Sequence, residues 1–158
     1  MSNSLTAKLG GIFRLNSGIT LIITVGNSLR GDDGAGEYVY QKIVPKGRLK
    51  IINAGMSPES VMDEVIEIAP CRVVFIDAAD FGGRPGEIRV IDKENIPQTT
   101  LTTHNFPLSV IASIIEEETR AEVFFLGIQA KTVELKEGIS EEVKAALDKL
   151  IEFINNLY

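Results

Sequence analysis

Cysteine and histidine each occur only once in this chain of 158 residues. A single cysteine, Cys71, cannot form an internal disulfide or a zinc site with several thiolates, and such sparing use of cysteine agrees with a reducing compartment. The single histidine, His104, argues against a stand-alone metallohydrolase, because such sites usually gather several histidine and carboxylate ligands around one or two permanent metal ions.

Basic segments and long apolar runs are also missing. The net charge is −6 at pH 7, and no cluster of Lys or Arg is interleaved with aromatic residues, so the sequence argues against binding to nucleic acid. The longest apolar runs, such as residues 19–25 and 123–128, are far shorter than the roughly 20 residues that cross a bilayer, so we expect no membrane insertion. The start of the chain holds no uninterrupted apolar segment followed by a cleavage site, and we expect a cytoplasmic protein.

The chain contains 44% hydrophobic residues, enough for one core, and we expect a single domain over residues 1–158. The first strong apolar run, residues 19–25, has apolar side chains at both odd and even positions. This pattern is typical of a strand buried on both faces of a parallel sheet. The link between the third and fourth runs holds no crossover helix, so the fourth strand should be antiparallel. Strands are predicted at residues 19–25, 49–53, 73–77, 87–91 and 122–128, and helices at residues 37–44, 58–69 and 107–118 and after Ser140. These elements predict a three-layer α/β/α sandwich with a mixed, mostly parallel five-stranded sheet.

Three polar side chains lie in or beside loops at the end of the sheet where ligands bind in α/β proteins. Asp33 is in the loop after the first strand, Asp77 is the last residue of the third strand, and His104 is in a loop before a helix. Two carboxylates and one imidazole suit a borderline divalent ion such as nickel, zinc, iron or manganese, with positions left open for another molecule. In the alternative without a metal, Asp33 caps a helix, Asp77 ties down a loop and His104 is an exposed turn residue.

The glycine-rich loop GNSLRGDDGAG does not fit the common phosphate-binding motifs. Its first two glycines have the spacing of a P-loop, but Asp32 and Asp33 replace the Lys and Ser/Thr of that motif and would repel phosphate. A Rossmann motif fails as well, because Val39 stands at the position of its third glycine. The glycines are therefore expected to let the backbone turn sharply and to leave room for a large ligand or another chain.

Two candidates for nucleophilic catalysis have simpler interpretations. The segment GMSPE resembles a nucleophile elbow but lacks its final glycine, and Ser57 before Pro58 fits a helix N-cap instead. Cys71 precedes an apolar strand and has no basic neighbour other than Arg72, which favours a packed small side chain over a reactive thiolate.

Five segments along the chain form a distinctive series: GNSLRGDDGAG, NAGMSPE, VVFIDAADFGGRPGEIRVID, LTTHNFPLSVI and VFFLGIQ. In this order and spacing they resemble the hydrogenase maturation proteases, and most closely the branch that processes hydrogenase-3-type large subunits. The resemblance runs from about Thr20 to the last helix. Residues 19–158 therefore form the part that resembles the family, and residues 1–18 form an extension with no assigned role.

The resemblance implies an endopeptidase that removes a short C-terminal extension from the [NiFe]-hydrogenase large-subunit precursor after nickel insertion. It implies that Asp33, Asp77 and His104 are both the catalytic and the metal-binding residues, and that the nickel belongs to the substrate. Asp32 is expected to point elsewhere. The resemblance also implies that three glycines shape the cleft for the substrate tail, namely Gly31, Gly34 and Gly36.

Two mechanisms stay open. In the first, nickel acts as a Lewis acid on the scissile carbonyl or on water, with Asp33 or Asp77 as general base; in the second, nickel is only a recognition handle and a carboxylate activates water. Two other functions also stay open: a non-catalytic nickel-dependent module that binds the large subunit, and a stand-alone metallohydrolase. Because two carboxylates and one histidine form a weak ligand set, we expect the isolated protein to be largely metal-free. We also expect a monomer.

Overall fold

A mixed sheet of five strands forms the middle layer of the protein. The structure is a computed structural model that describes residues 1–14, 18–96 and 106–158. Across the sheet the strand order is β2-β1-β3-β5-β4, with β4 antiparallel to β5 and the other pairs parallel. The strands are β1 (Thr20–Val25), β2 (Leu49–Gly55), β3 (Arg72–Ala79), β4 (Ile88–Val90) and β5 (Glu122–Gln129). The predicted mixed sheet with an antiparallel fourth strand is confirmed.

Helices cover both faces of this sheet. Those of the described part are α1 (Asn3–Ile12), α2 (Ala35–Lys42), α3 (Met62–Ile68), α4 (Leu108–Thr119) and α5 (Glu141–Leu157). Buried side chains of α1, α2 and α5 pack in one apolar cluster against one face, and those of α3 and α4 pack in a second cluster against the other. This is the predicted three-layer sandwich. Within the described ranges, no helix has the length and apolar composition needed to span a bilayer.

The two strands β1 and β3 are buried along their whole length. On β1, Ile22 packs in the cluster with α1, α2 and α5. Its neighbours Leu21 and Ile23 pack in the cluster with α3 and α4. Because successive side chains of a strand point to opposite faces, a strand covered on both faces needs apolar residues on both parities. The continuous apolar run at β1 in the sequence therefore reflects the burial of this strand on both faces of the sheet.

Two element boundaries near the candidate site differ from the predicted ones. β3 continues two residues past Asp77, because its last two residues pair in register with the end of β5. Asp77 therefore lies inside the strand and is not its last residue. α2 begins at residue 35 instead of residue 37, and it follows a 3-10 turn, Gly31–Gly34. Glycine has a low helix propensity, so the glycine-rich sequence gave no indication of this turn.

The N-terminal extension, which had no assigned role, contains α1 and contributes to the core. Leu9 and Phe13 are completely buried and Ile12 is nearly so, all three in the cluster with α2 and α5. Ser2 caps the helix, because its Oγ accepts a hydrogen bond from the Leu5 N–H at 3.2 Å. These residues therefore stabilise the face of the sheet that α1 covers.

A conservative truncation in α1 tests this contribution. Ile12→Val removes one buried methylene group and is expected to lower the free energy of unfolding by about 1 kcal/mol. Urea denaturation followed by circular dichroism measures the change. Lys8→Ala, at an exposed position of the same helix, is the control and should change stability by less than about 0.5 kcal/mol. Equal effects of the two substitutions would show that α1 does not pack on the core.

Candidate active site

The 3-10 turn that follows β1 contains Asp33, which is only 1% exposed. The backbone of Asp33 is held on both sides. Its carbonyl oxygen accepts a hydrogen bond from the Asn27 N–H at 3.0 Å, and its own N–H donates to the Arg30 carbonyl oxygen at 3.1 Å. The Asn27 side chain in turn accepts from the Leu29 N–H at 3.0 Å. Hydrogen bonds within the loop therefore hold Asp33 at the carboxyl end of β1.

Two glycines allow this loop to approach its neighbours closely. Gly26 has a φ of +140°, and a Cβ there would overlap the Asp33 carbonyl oxygen. A Cβ at Gly36 would overlap the Val25 carbonyl oxygen, where the first turn of α2 crosses the end of β1. The space is filled by the chain's own backbone. Gly31, Gly34 and Gly36, which were expected to shape the cleft for the substrate tail, are all buried next to backbone atoms of other segments. Their role in shaping that cleft stays a prediction.

Asp77 lies on β3, next to the end of β1. It is 6% exposed and pairs in register with Gly127 of β5, and the residue before it, Ile76, pairs with Thr24 of β1. The 3-10 turn that contains Asp33 also contacts β3. The structure therefore brings Asp33 and Asp77 to the carboxyl ends of two adjacent parallel strands.

His104 lies in residues 97–105, outside the described residues, so its position relative to the two aspartates stays a prediction. In residues 1–14, 18–96 and 106–158, no group of three or more His, Cys, Asp and Glu side chains lies close enough to hold a metal ion. The alternative in which Asp33 caps a helix is wrong. Gly34 is the N-cap of α2, and Asp33 lies inside the preceding 3-10 turn.

Sequence reasoning missed Gln129, which fixes the loop after Asp77. Gln129 ends β5, and its Oε1 accepts hydrogen bonds from the backbone N–H groups of Phe81 and Gly83 at 2.9 and 3.0 Å. Its Nε2 donates to the Asp80 carboxylate at 3.1 Å. This bond, together with one from the Gly82 N–H, holds the pKa of Asp80 below its ordinary value. The signal in the sequence was a lone amide side chain at the end of an apolar strand.

Asp32 is completely buried, and its carboxylate contacts the segment after β5. It accepts hydrogen bonds from the backbone N–H groups of Lys131, Thr132 and Ser140 at 2.7, 3.1 and 2.6 Å. Ser140 occupies the N-cap position of α5, as predicted, but no side-chain hydrogen bond caps the helix. Its hydroxyl donates to Asp32 instead, at 3.0 Å. Asp32 therefore joins two loops at the same end of the sheet.

The two residues considered as nucleophiles lie in simple structural positions. Ser57 directly precedes a 3-10 turn, Pro58–Val61, as an N-cap residue should, although no side-chain hydrogen bond caps this turn. Cys71 is half-buried, and its thiol donates to the Ile19 carbonyl oxygen at 3.4 Å. Neither position adds a group to the pair of aspartates.

The model of one protein family, the hydrogenase maturation proteases, matches residues 35–157. The chain therefore belongs to the hydrogenase maturation protease family, a class of endopeptidases. The Hydrogenase 3 maturation protease of Escherichia coli K12 is 37% identical over 135 residues, which cover 84% of this chain and 86% of that protein. The family and the endopeptidase class predicted from the sequence are confirmed.

Solved structures of the family have the same fold. A [NiFe] hydrogenase maturation protease HycI from Thermococcus kodakarensis superposes with a TM-score of 0.80 at 32% identity, covering 95% of this chain and 97% of that one. An endopeptidase HycI from Escherichia coli gives 0.78 at 35% identity, covering 87% and 90%. Because residues 19–158 are less than 95% of this chain, the first match includes part of the N-terminal extension.

Proposed function

We propose that this protein removes the C-terminal extension of the [NiFe]-hydrogenase large-subunit precursor after nickel has been inserted, and that Asp33, Asp77 and His104 contact the bound nickel. The observation that supports this proposal is the burial of two carboxylates at the carboxyl ends of adjacent strands in a member of this protease family. Carboxylates are ligands for borderline divalent ions, so such a pair suits a cationic ligand.

The nickel is part of the substrate in this proposal. Two carboxylates and one imidazole leave coordination positions open for the ligands that the large subunit itself supplies. The same contacts would position the scissile bond near a carboxylate that takes a proton from the attacking water. Water then adds to the carbonyl carbon, the C–N bond breaks, and the new amine receives a proton. Bound nickel supplies Lewis acidity at the carbonyl or the water.

One experiment tests cleavage and nickel dependence together. The protein is mixed with nickel-loaded and with nickel-free large-subunit precursor, and the C-terminal extension is followed by mass spectrometry. We expect the loaded precursor alone to be shortened. Cleavage of both forms would contradict nickel recognition, and formation of a stable complex without cleavage would favour the non-catalytic binding module. Cleavage of unrelated peptides by a protein that holds its own metal ion would favour a stand-alone metallohydrolase.

The metal content of the isolated protein is a separate prediction. Because the proposed ligand set is small and the nickel comes with the substrate, protein purified without chelator should contain less than about 0.1 nickel ion per chain. Elemental analysis by mass spectrometry measures this ratio. A tightly held ion at a ratio near one would show that the metal belongs to the protease.

A further inference from the structure

Asp32 has a buried carboxylate whose hydrogen-bond partners lie about a hundred residues later in the chain. Its Oδ1 accepts from the Ser140 N–H at 2.6 Å. Its Oδ2 accepts from the N–H groups of Lys131 and Thr132 at 2.7 and 3.1 Å and from the Ser140 hydroxyl at 3.0 Å. Four donors therefore converge on one side chain that is 0% exposed.

Backbone contacts join the same two segments. The Asp32 N–H donates to the Thr132 carbonyl oxygen at 2.9 Å, and the Gly31 N–H donates to the Lys136 carbonyl oxygen at 2.6 Å. Arg30 and Lys136 form a parallel β-bridge. The 3-10 turn before α2 and the segment between β5 and α5 are thus one connected unit. Asp32 supplies the side-chain part of that connection.

Only a carboxylate fits this set of donors. An ionised carboxylate accepts through both oxygens, whereas an asparagine amide has one acceptor oxygen and an NH2 group that would face N–H donors. The Lys131 ammonium is paired with Glu142 at 2.7 Å. Backbone N–H groups surround the Asp32 carboxylate in the way that they surround anions bound in loops.

We propose that Asp32 is a positioning residue that sets the location of Asp33. The inference rests on the proposed function, because that function places Asp33 in the active site. The two residues share a peptide bond, and the Asp33 backbone carbonyl and N–H groups bond Asn27 and Arg30 in the same loop. Loss of the Asp32 side-chain hydrogen bonds would leave the turn joined to the segment after β5 through backbone contacts alone, and this weaker attachment would let the Asp33 carboxylate move while the sheet stays intact.

Cleavage rates of three variants test the inference. With nickel-loaded precursor, Asp32→Asn should lower kcat/KM by about 10–100-fold, since small displacements of catalytic groups have effects of this size. Ser140→Ala removes the hydroxyl donor but keeps the backbone N–H, and a loss of about two- to tenfold is expected. Asp148→Asn is the control, because this exposed carboxylate of α5 bonds Tyr38 and Lys42 on the surface. Its rate should equal that of the wild type.

Two readouts separate positioning from a general loss of stability. In an Asp33→Glu background, Asp32→Asn should lower kcat/KM by less than about threefold. Both substitutions act through the position of the same carboxylate, so their effects on the rate do not multiply. The Asp33 amide signal in the NMR spectrum should shift in Asp32→Asn and, less strongly, in Ser140→Ala. The same factor in both backgrounds, or a folded Asp32→Asn with the wild-type rate, would overturn the inference.

The outcome stays decisive in two unfavourable cases. If Asp32→Asn does not fold, an unchanged Asp33 amide signal in Ser140→Ala overturns the inference, and a shifted signal supports it. If the wild-type protein cleaves no precursor, the proposed function has failed, whereas the Asp33 amide signal still reports whether Asp32 positions its neighbour.

Discussion

Replacing Asp33 or Asp77 by asparagine should lower the rate of cleavage of nickel-loaded precursor by about 10²–10⁴-fold. Asparagine has nearly the same shape as aspartate, but it cannot accept a proton and is a weak ligand for a divalent ion. Single-turnover cleavage, with enzyme in excess over precursor and mass spectrometry as the detector, measures the rate without interference from product release.

The fold should survive both substitutions. The loop around Asp33 is held through its backbone, and Asp77 pairs with β5 through its backbone, so neither role needs the carboxylate. Asp63→Asn, at an exposed position of α3, is the matched control and should cleave at the wild-type rate. His104→Ala should lose as much activity as the aspartate variants. Full activity in His104→Ala would remove the imidazole from the proposed site.

The location of the two aspartates could be predicted because it follows from local patterns. A run of apolar residues on both parities indicates a buried parallel strand, and the carboxyl ends of parallel strands meet at one edge of the sheet. Asp33 and Asp77 follow or end such runs. The exact end of β3 was not predictable in this way, because the pairing of its last two residues with β5 is a long-range contact.

The contacts of Asp32 and Gln129 could not be predicted from the sequence. The donors to Asp32 lie far away in the chain, and Gln129 binds a loop that begins some fifty residues before it. Such hydrogen bonds depend on tertiary packing, which leaves no periodic pattern. Ser140 illustrates the difficulty, since its position before a helix predicted a cap while its hydroxyl binds Asp32.

The role of the N-terminal extension was predictable in principle. Leu9, Ile12 and Phe13 have the i, i+3, i+4 spacing of an amphipathic helix, and all three are buried. The two neighbouring glycines, Gly10 and Gly11, lower helix propensity and obscured this pattern. Tertiary packing of the apolar face overcomes that local penalty in α1.

The second large expected effect concerns Gly36, which lies where the first turn of α2 crosses the end of β1. Gly36→Ala should lower the free energy of unfolding by about 3 kcal/mol or more, because the new Cβ would overlap the Val25 carbonyl oxygen and force α2 away from β1. For a chain of this size the melting temperature should fall by roughly 10 °C. Differential scanning calorimetry of the purified variant measures both quantities.

Gly10→Ala is the matched control, since Gly10 lies inside α1 and a Cβ there would meet no atom within 4 Å. This substitution should raise stability by about 0.5–1 kcal/mol, because alanine loses less backbone entropy in a helix than glycine. The two variants thus make the same chemical change with opposite expected signs. If Gly36→Ala were as stable as Gly10→Ala, α2 could not approach β1 as closely as the structure has it. The position of the turn that contains Asp33, directly before α2, would then also be wrong.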